Sequence, residues 1–384
     1  MNRLKALYAI YISVAVGYMG VGLVAPLISL VLHEHGANSF IVGLVGTTMF
    51  SAFTLASFPM GRATDRHGAK PILVAGLSVY GFSILLFAFI NQIWLFFAVR
   101  AIEGVAAAAI SVATETMISQ LSEPEERARR MGYYGLSVGV GWALGPLTGA
   151  ALFSLRHWAP FVGCFVFSGA AAILVACSVP RVHSRDHQIP GLVSGLSAKL
   201  VTPVSGGMLY GYLMSSLVTL FPLYLNRRGV EEVQTGGIIT AVIVGTIVSQ
   251  VPIARAADRF GKRPVLLASA IFLSGLFWLM TMHSAPLFFV CVGALIGASA
   301  GSLYPVALAI IGGSVIPERL GTATALFSLA FGIGSLAGPA MSGLVMDHFG
   351  DAWLFRVAAI LTAAFSALIP IMHVWIRSRV PRNP

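Results

Sequence analysis

The stretch GRATDRHGAKP, Gly61–Pro71, returns 193 residues later as ARAADRFGKRP, Ala254–Pro264. The copies match in their chemistry: Asp65 with Asp258, Arg66 with Arg259, Gly68 with Gly261, Lys70 with Arg263 and Pro71 with Pro264. Each lies between two apolar runs long enough to cross a bilayer. Gly141, Gly145 and Pro146 recur at the same offset as Gly334, Gly338 and Pro339, Gly104 as Gly297, and Pro124-Glu125 as Pro317-Glu318. So many glycine, proline and charged positions at one spacing mark an internal repeat. The offset is about half of the 384-residue chain, so one membrane unit is written twice.

Composition points the same way. Charged residues make up 10% of the chain and hydrophobic residues 57%, against roughly 25% charged in a globular domain. The mean hydropathy is +0.86. A soluble surface cannot be covered with so few charges, so lipid is the expected main solvent. The net charge of +10 does not indicate nucleic acid, because the Lys and Arg residues sit in short loops between apolar runs. Cys164, Cys177 and Cys291 fall inside apolar runs without metal-ligand spacing, so neither a disulfide framework nor a metal site is expected.

Twelve apolar runs can be placed, at 6–32, 40–60, 71–90, 93–120, 130–153, 158–179, 200–225, 235–254, 264–283, 286–312, 321–345 and 352–376. Their lengths suit helices through a hydrocarbon core of about 30 Å, and they lack the alternation of a membrane barrel. The first run is longer than the apolar part of a signal peptide, has no small-residue cleavage site, and is kept as a spanning helix. The expected architecture is an all-α membrane protein with twelve transmembrane helices in two pseudo-symmetric six-helix halves. These are 1–180 and 200–384, joined by a cytoplasmic linker at 181–199 that carries Arg181, His183, Arg185, Pro190 and Gly191.

An even number of spans puts both termini on one side. The even-numbered loops and the termini hold 19 of the 24 Lys and Arg residues, while the odd-numbered loops hold Arg156, Arg227 and Arg228. The positive-inside rule therefore places both termini in the cytoplasm, in a multi-pass inner-membrane protein.

These features resemble the major facilitator superfamily of secondary transporters over nearly the whole chain. The loop after helix two, echoed after helix eight, carries the most specific part of the resemblance. Arg100 in AVRAIEGVAAA is similar to that family's helix-four motif, and GWALGPLTG in helix five to a motif of the proton-driven drug-efflux branch. Ala150 stands where the second glycine of that motif's closing pair is usual. The resemblance implies the family's fold, alternating access around a central cavity, and protons as the usual driving force. It also implies a gate in which Asp65 meets the start of helix eleven, with Arg66 and Lys70 adding charge contacts; the plainer alternative is that these charges only set topology.

Helix four holds the ionisable cluster. Arg100 and Glu103 lie 60° apart on one helical face, and Ala107, Ser111 and Glu115 continue the stripe. Charges at membrane depth must find partners or water. Glu103 is a candidate proton carrier, weakening its pair with Arg100 when protonated, or one half of a permanent structural pair. Glu115, nearer the cytoplasmic rim, is a coupling or entry candidate, or a side chain that snorkels. At 193 residues from Arg100 stands Gly293, so the charged chemistry is confined to the first half.

Tyr18, Met19, Tyr210, Met214 and Tyr304 are candidates for lining a cavity for apolar or amphipathic ligands, or are ordinary packing. Gly141, Gly145, Pro146 and Gly149 form a bare, bent face in helix five, suited to a hinge or simply to tight packing. Arg356 is placed to pair with Asp347 or Asp351. No Walker loop is present, so ATP is not the expected driver; the resemblance implies the proton gradient in its place, and no cofactor is expected. Lipid, protons and a small-molecule substrate are the expected partners of a monomer, and no enzymatic activity is expected. The expected function is proton-coupled export of a small apolar or amphipathic compound. The alternatives are uptake or facilitated diffusion of an organic anion held by Arg100, and a non-transporting membrane receptor or scaffold.

Overall fold

The computed structural model describes residues 3–123, 126–180, 198–283, 285–315 and 317–379. Most of the expected linker, and Pro124-Glu125 of the repeat, lie outside the described residues. The described chain is helical throughout, with twelve spans long and apolar enough to cross a membrane. The helices of the first half are α1 (Arg3–Val24), α2 (Leu27–Glu34), α3 (Ser39–His67), α4 (Ala69–Leu86), α5 (Ile93–Leu121), α6 (Arg127–Leu155) and α7 (Ala159–Ser178). Those of the second are α8 (Val201–Arg227), α9 (Glu232–Phe260), α10 (Lys262–Leu279), α11 (Pro286–Gly312), α12 (Pro317–Phe349) and α13 (Trp353–Arg379).

Two expectations are corrected here. The first run is not one helix but α1 and α2, separated at Ala25-Pro26. Pro26 has no N–H to return to the preceding turn, so the hydrogen-bond ladder breaks there. Nor is Gly61–Pro71 a loop. α3 continues through Gly61, Asp65 and Arg66 to His67, and α4 starts at Ala69. Gly68 alone makes the turn, at φ 88°, and Gly261 does so in the repeat, at φ 93°. An L side chain is strained at such angles, so glycine is required at these two positions and not at Gly61.

The repeat is visible in the packing. α1 lies on α6 and α7, α3 on α5, and α4 on α5 and α7; correspondingly α8 lies on α12 and α13, α9 on α11, and α10 on α11 and α13. The closest crossings also repeat. A Cβ at Gly104 would strike the Met49 carbonyl, and one at Gly297 the Val242 carbonyl. One at Gly141 would strike the Ala15 carbonyl, and one at Gly334 the Met208 carbonyl. Each struck residue is 193 from its counterpart. Lipid tails are as apolar as leucine, so helices associate through close contact, which these glycines allow. The halves meet where α3 packs on α12 and α6 on α9.

Gly297→Ala should therefore cost about 1–3 kcal/mol, because the obstruction is backbone and cannot turn aside. Gly61→Ala meets nothing within 4 Å and, inside a helix, should gain up to about 1 kcal/mol. Thermal melts of the two purified variants check the contrast; equal melting temperatures would contradict it.

Candidate functional site: a cavity between the halves

A cavity of about 960 Å³ opens between the halves. Its wall includes Val14, Gly17 and Tyr18 of α1, Met49, Phe50, Phe53 and Thr54 of α3, Ser111 and Glu115 of α5 and Trp142 of α6. The second half contributes Tyr304 of α11 and Ala325, Leu329, Phe331, Gly332 and Ser335 of α12. Along α3 the lining runs from Met49 to Phe58, along α5 from Ala107 to Glu115, and along α12 from Ala325 to Ser335. In each helix this is the middle and the part toward the face that bears the Gly68 and Gly261 turns, here the basic face. The cavity thus occupies the half of the membrane nearer the basic face.

The opposite face is shut. The Asp347 carboxylate, near the end of α12, accepts from the backbone N–H groups of Ser39 (2.9 Å) and Phe40 (2.8 Å) at the start of α3. A carboxylate at a helix N-terminus answers both the unpaired N–H groups and the helix dipole. Arg227, at the end of α8, donates to Ser39 Oγ (2.9 Å) and Asp351 (2.6 Å), so the second half grips the first through two side chains. Deeper, Thr47 Oγ1 donates to the Leu336 carbonyl (2.9 Å), and Thr240 Oγ1 of α9 to the Ala143 carbonyl of α6 (3.0 Å). Gly43 abuts Pro339 and Gly236 abuts Pro146, again on this side.

The Arg100–Glu103 pair is buried but does not line the cavity. Arg100 Nη1 donates to Glu103 Oε2 (2.8 Å) and Oε1 (3.0 Å), and the two residues are 6% and 2% exposed. Tyr80 of α4, itself part of the cavity wall, donates its hydroxyl to Glu103 Oε1 at 3.0 Å. The equivalents of Tyr80, Arg100 and Glu103 in the second half are Leu273, Gly293 and Ile296. Glu115, by contrast, does line the cavity and accepts from Ser111 Oγ at 2.9 Å.

The other sequence candidates separate in the same way. Tyr18 and Tyr304 line the cavity. Tyr210 lies one layer back, its ring 5.5 Å from Tyr304 and 5.9 Å from Phe331. Met19 meets Gly141 through its backbone, and Met214 packs against the core. Gly141, Gly145 and Gly149 press on Ala15, Gly22 and Leu23 of α1, inside their own half, while the Pro146 carbonyl faces α9 of the other half.

Lys70 Nζ donates to the Ala176 carbonyl of α7 (2.7 Å), and on the repeat Lys262 Nζ donates to Ala309 of α11 (2.8 Å). The Arg259 guanidinium sits 5.2 Å over the Phe260 ring. Asp65 and Arg66 are exposed in the last turn of α3, and Asp258 in that of α9. The expected Asp65 contact falls on 317–321, whose side chains lie outside the described residues. Arg356 pairs with neither expected aspartate and lies 5.6 Å over the Trp353 ring. Asp347 and Asp351 are engaged by α3 and Arg227, because α12 ends directly beside the start of α3.

The model of the Major Facilitator Superfamily matches residues 10–239 and 203–384. The chain belongs to this superfamily. It is 26% identical to the uncharacterized MFS-type transporter YfkF of Bacillus subtilis (strain 168), across 94% of each chain. Its fold is shared with a bacterial homolog of the human lysosomal transporter Spinster, in an inward-facing and occupied conformation, at a TM-score of 0.82, 13% identity and 99% coverage of both chains. The nucleoside transporter NupG superposes at a TM-score of 0.78 with 14% identity, covering 97% of this chain and 99% of its own. As a member of the superfamily the protein is a membrane transporter, and a cavity set toward one face while the other is shut is consistent with alternating access.

A buried ion pair that loses one partner leaves an uncompensated charge. Arg100→Ala should cost about 3–5 kcal/mol, whereas Arg100→Met combined with Glu103→Met should recover most of that loss. Thermal stability of the single and double variants decides. A double variant as unstable as the single one would show that the buried charge is not what the arginine compensates.

Proposed function

We propose that the protein exports a small amphipathic compound in exchange for protons across the inner membrane, with both termini cytoplasmic and the single chain as the working unit. The observation that carries this reading is the cavity itself. Aromatic and aliphatic side chains make most of its wall, and among the described residues Glu115 is its one carboxylate and no Lys or Arg lines it. An apolar wall with few polar groups suits ligands of varied shape. A carboxylate facing such a cavity can take a proton in one orientation of the transporter and release it in the other.

Uptake of an organic anion has less support, because its proposed ligand, Arg100, is already held by both oxygens of Glu103 and lies outside the wall. The excess of Lys and Arg on the basic face supports its being cytoplasmic, so the cavity loads from the cytoplasm in this state. Protonation of Glu115 from the outer side would then accompany release.

The test is a reconstituted vesicle with an acidic interior, using the amphipathic dyes Hoechst 33342 and ethidium. Antiport predicts dye accumulation against outward proton flow, lost at least tenfold in Glu115→Gln. Accumulation only when the outside is acidic would establish symport and overturn the reading.

The seal makes a second prediction. Asp347→Asn keeps the shape but removes the charge at the α3 N-terminus, an interaction of about 0.3–1 kcal/mol. With the three native cysteines replaced by alanine, a cysteine at Ala340 should react two- to fivefold faster with an impermeant maleimide added from the outer side. Unchanged labelling would remove Asp347 from the seal.

A further inference from the structure

Glu115 is an unusual group for its surroundings. It makes no ion pair among the described residues, and its one hydrogen-bond donor is the neutral hydroxyl of Ser111. A carboxylate in an apolar, partly desolvated space is costly unless a positive charge comes to it. Among the described residues no lysine, arginine or histidine belongs to the cavity wall, so none of them supplies that charge. What the wall does supply is aromatic rings. Tyr18 and Tyr304 share the wall with Glu115, and Tyr134 of α6 also lies within electrostatic reach of the carboxylate. The face of an aromatic ring carries negative charge density and attracts cations, the more so where water is excluded.

We infer that Glu115, with the rings of Tyr18 and Tyr304, binds the positively charged head of an organic cation, while the apolar remainder of the cavity holds its body. The inference rests on reading this cavity as the transport site, and narrows that site to one charge class. Two further features fit it. Phe50, Phe53 and Trp142 supply wide apolar surface beside the carboxylate. Tyr304 comes from the second half and Glu115 from the first, so a bound cation touches both halves and can influence how they close. An anion in the same place would meet a like charge and, among the described residues, no compensating donor of full positive charge.

The experiment is equilibrium binding to the purified full chain at constant pH without a gradient, read by quenching of tryptophan fluorescence, since Trp142 lines the cavity. The probes are tetraphenylphosphonium, ethidium and tetraphenylborate; the first and last have the same shape and opposite charge. Both cations should bind at least tenfold more tightly than the anion. Glu115→Gln should erase that preference, Glu115→Asp should keep part of it, and Tyr304→Phe should keep more of it than Tyr304→Ala. Equal affinity for tetraphenylphosphonium and tetraphenylborate in the unmodified protein, or failure of both cations to bind, overturns the inference without recourse to any variant. So does an unchanged preference in a Glu115→Gln protein that elutes and melts as the parent does. The two readings fail separately. Cation binding without gradient-driven movement would leave this site standing and defeat proton-coupled export. Gradient-driven movement of Hoechst 33342 with no charge preference in binding would do the reverse.

Discussion

Glycine against backbone is the contact on which this structure depends. In lipid, apolar side chains gain little by leaving their solvent, so helices must be held by closeness. At Gly104, Gly141, Gly297 and Gly334 the approach is so near that a single added carbon would run into a neighbouring carbonyl. A bundle fixed in this way has little freedom for its helices to slide within a half. Because the same crossings occur at the same offset in both halves, each half is a stiff unit of the same design, and large movement is left to the surface between them.

On that shared scaffold the chemistry is unequal. Tyr80, Arg100 and Glu103 form a hydrogen-bonded cluster in the first half where the second has Leu273, Gly293 and Ile296. A buried ion pair is weak evidence of added stability, since desolvation takes back most of what attraction gives. Its effect here is positional. Tyr80 links the pair to the cavity wall, so the first half carries a polar interior immediately behind its cavity-facing surface. The repeat thus accounts for the scaffold and not for the charged groups in and behind the cavity wall, which among the described residues come from one copy.

Much of the architecture was legible in the sequence because its signals are local or periodic. Run length gave the twelve spans, and the 193-residue offset gave the halves and their glycine crossings. The helical stripe on α5 put Arg100 beside Glu103. What a stripe cannot give is the neighbour beyond it. Arg100 and Glu103 face a tyrosine from α4, while Glu115, twelve residues further along the helix, faces the cavity. The Gly61–Pro71 stretch read as a loop because its charges interrupt hydropathy, yet charge at a membrane surface does not stop a helix; only Gly68, with its positive φ, does. Asp347 was read as a possible partner of Arg356. Its partners are backbone N–H groups 308 and 307 residues away, a contact without any sequence signature.

The difference between these two kinds of contact bears on motion. Within a half, close crossings are buried at membrane depth, where a separated backbone group would find no water. The seal between the halves joins close approach at Gly43 and Gly343 to hydrogen bonds from Ser39, Phe40 and Arg227 at the membrane edge. When these part, water can take the place of each lost partner, so the net cost of each is about 0.5–1.5 kcal/mol rather than its full strength. A few such bonds sum to the size of a ligand's difference in affinity between two states. The halves are therefore held apart from internal change by contacts that lipid makes costly to break, and held together by contacts that water makes easy to exchange. A ligand touching both Glu115 and Tyr304 acts across that weaker boundary, which is where binding energy can be turned into a change of face.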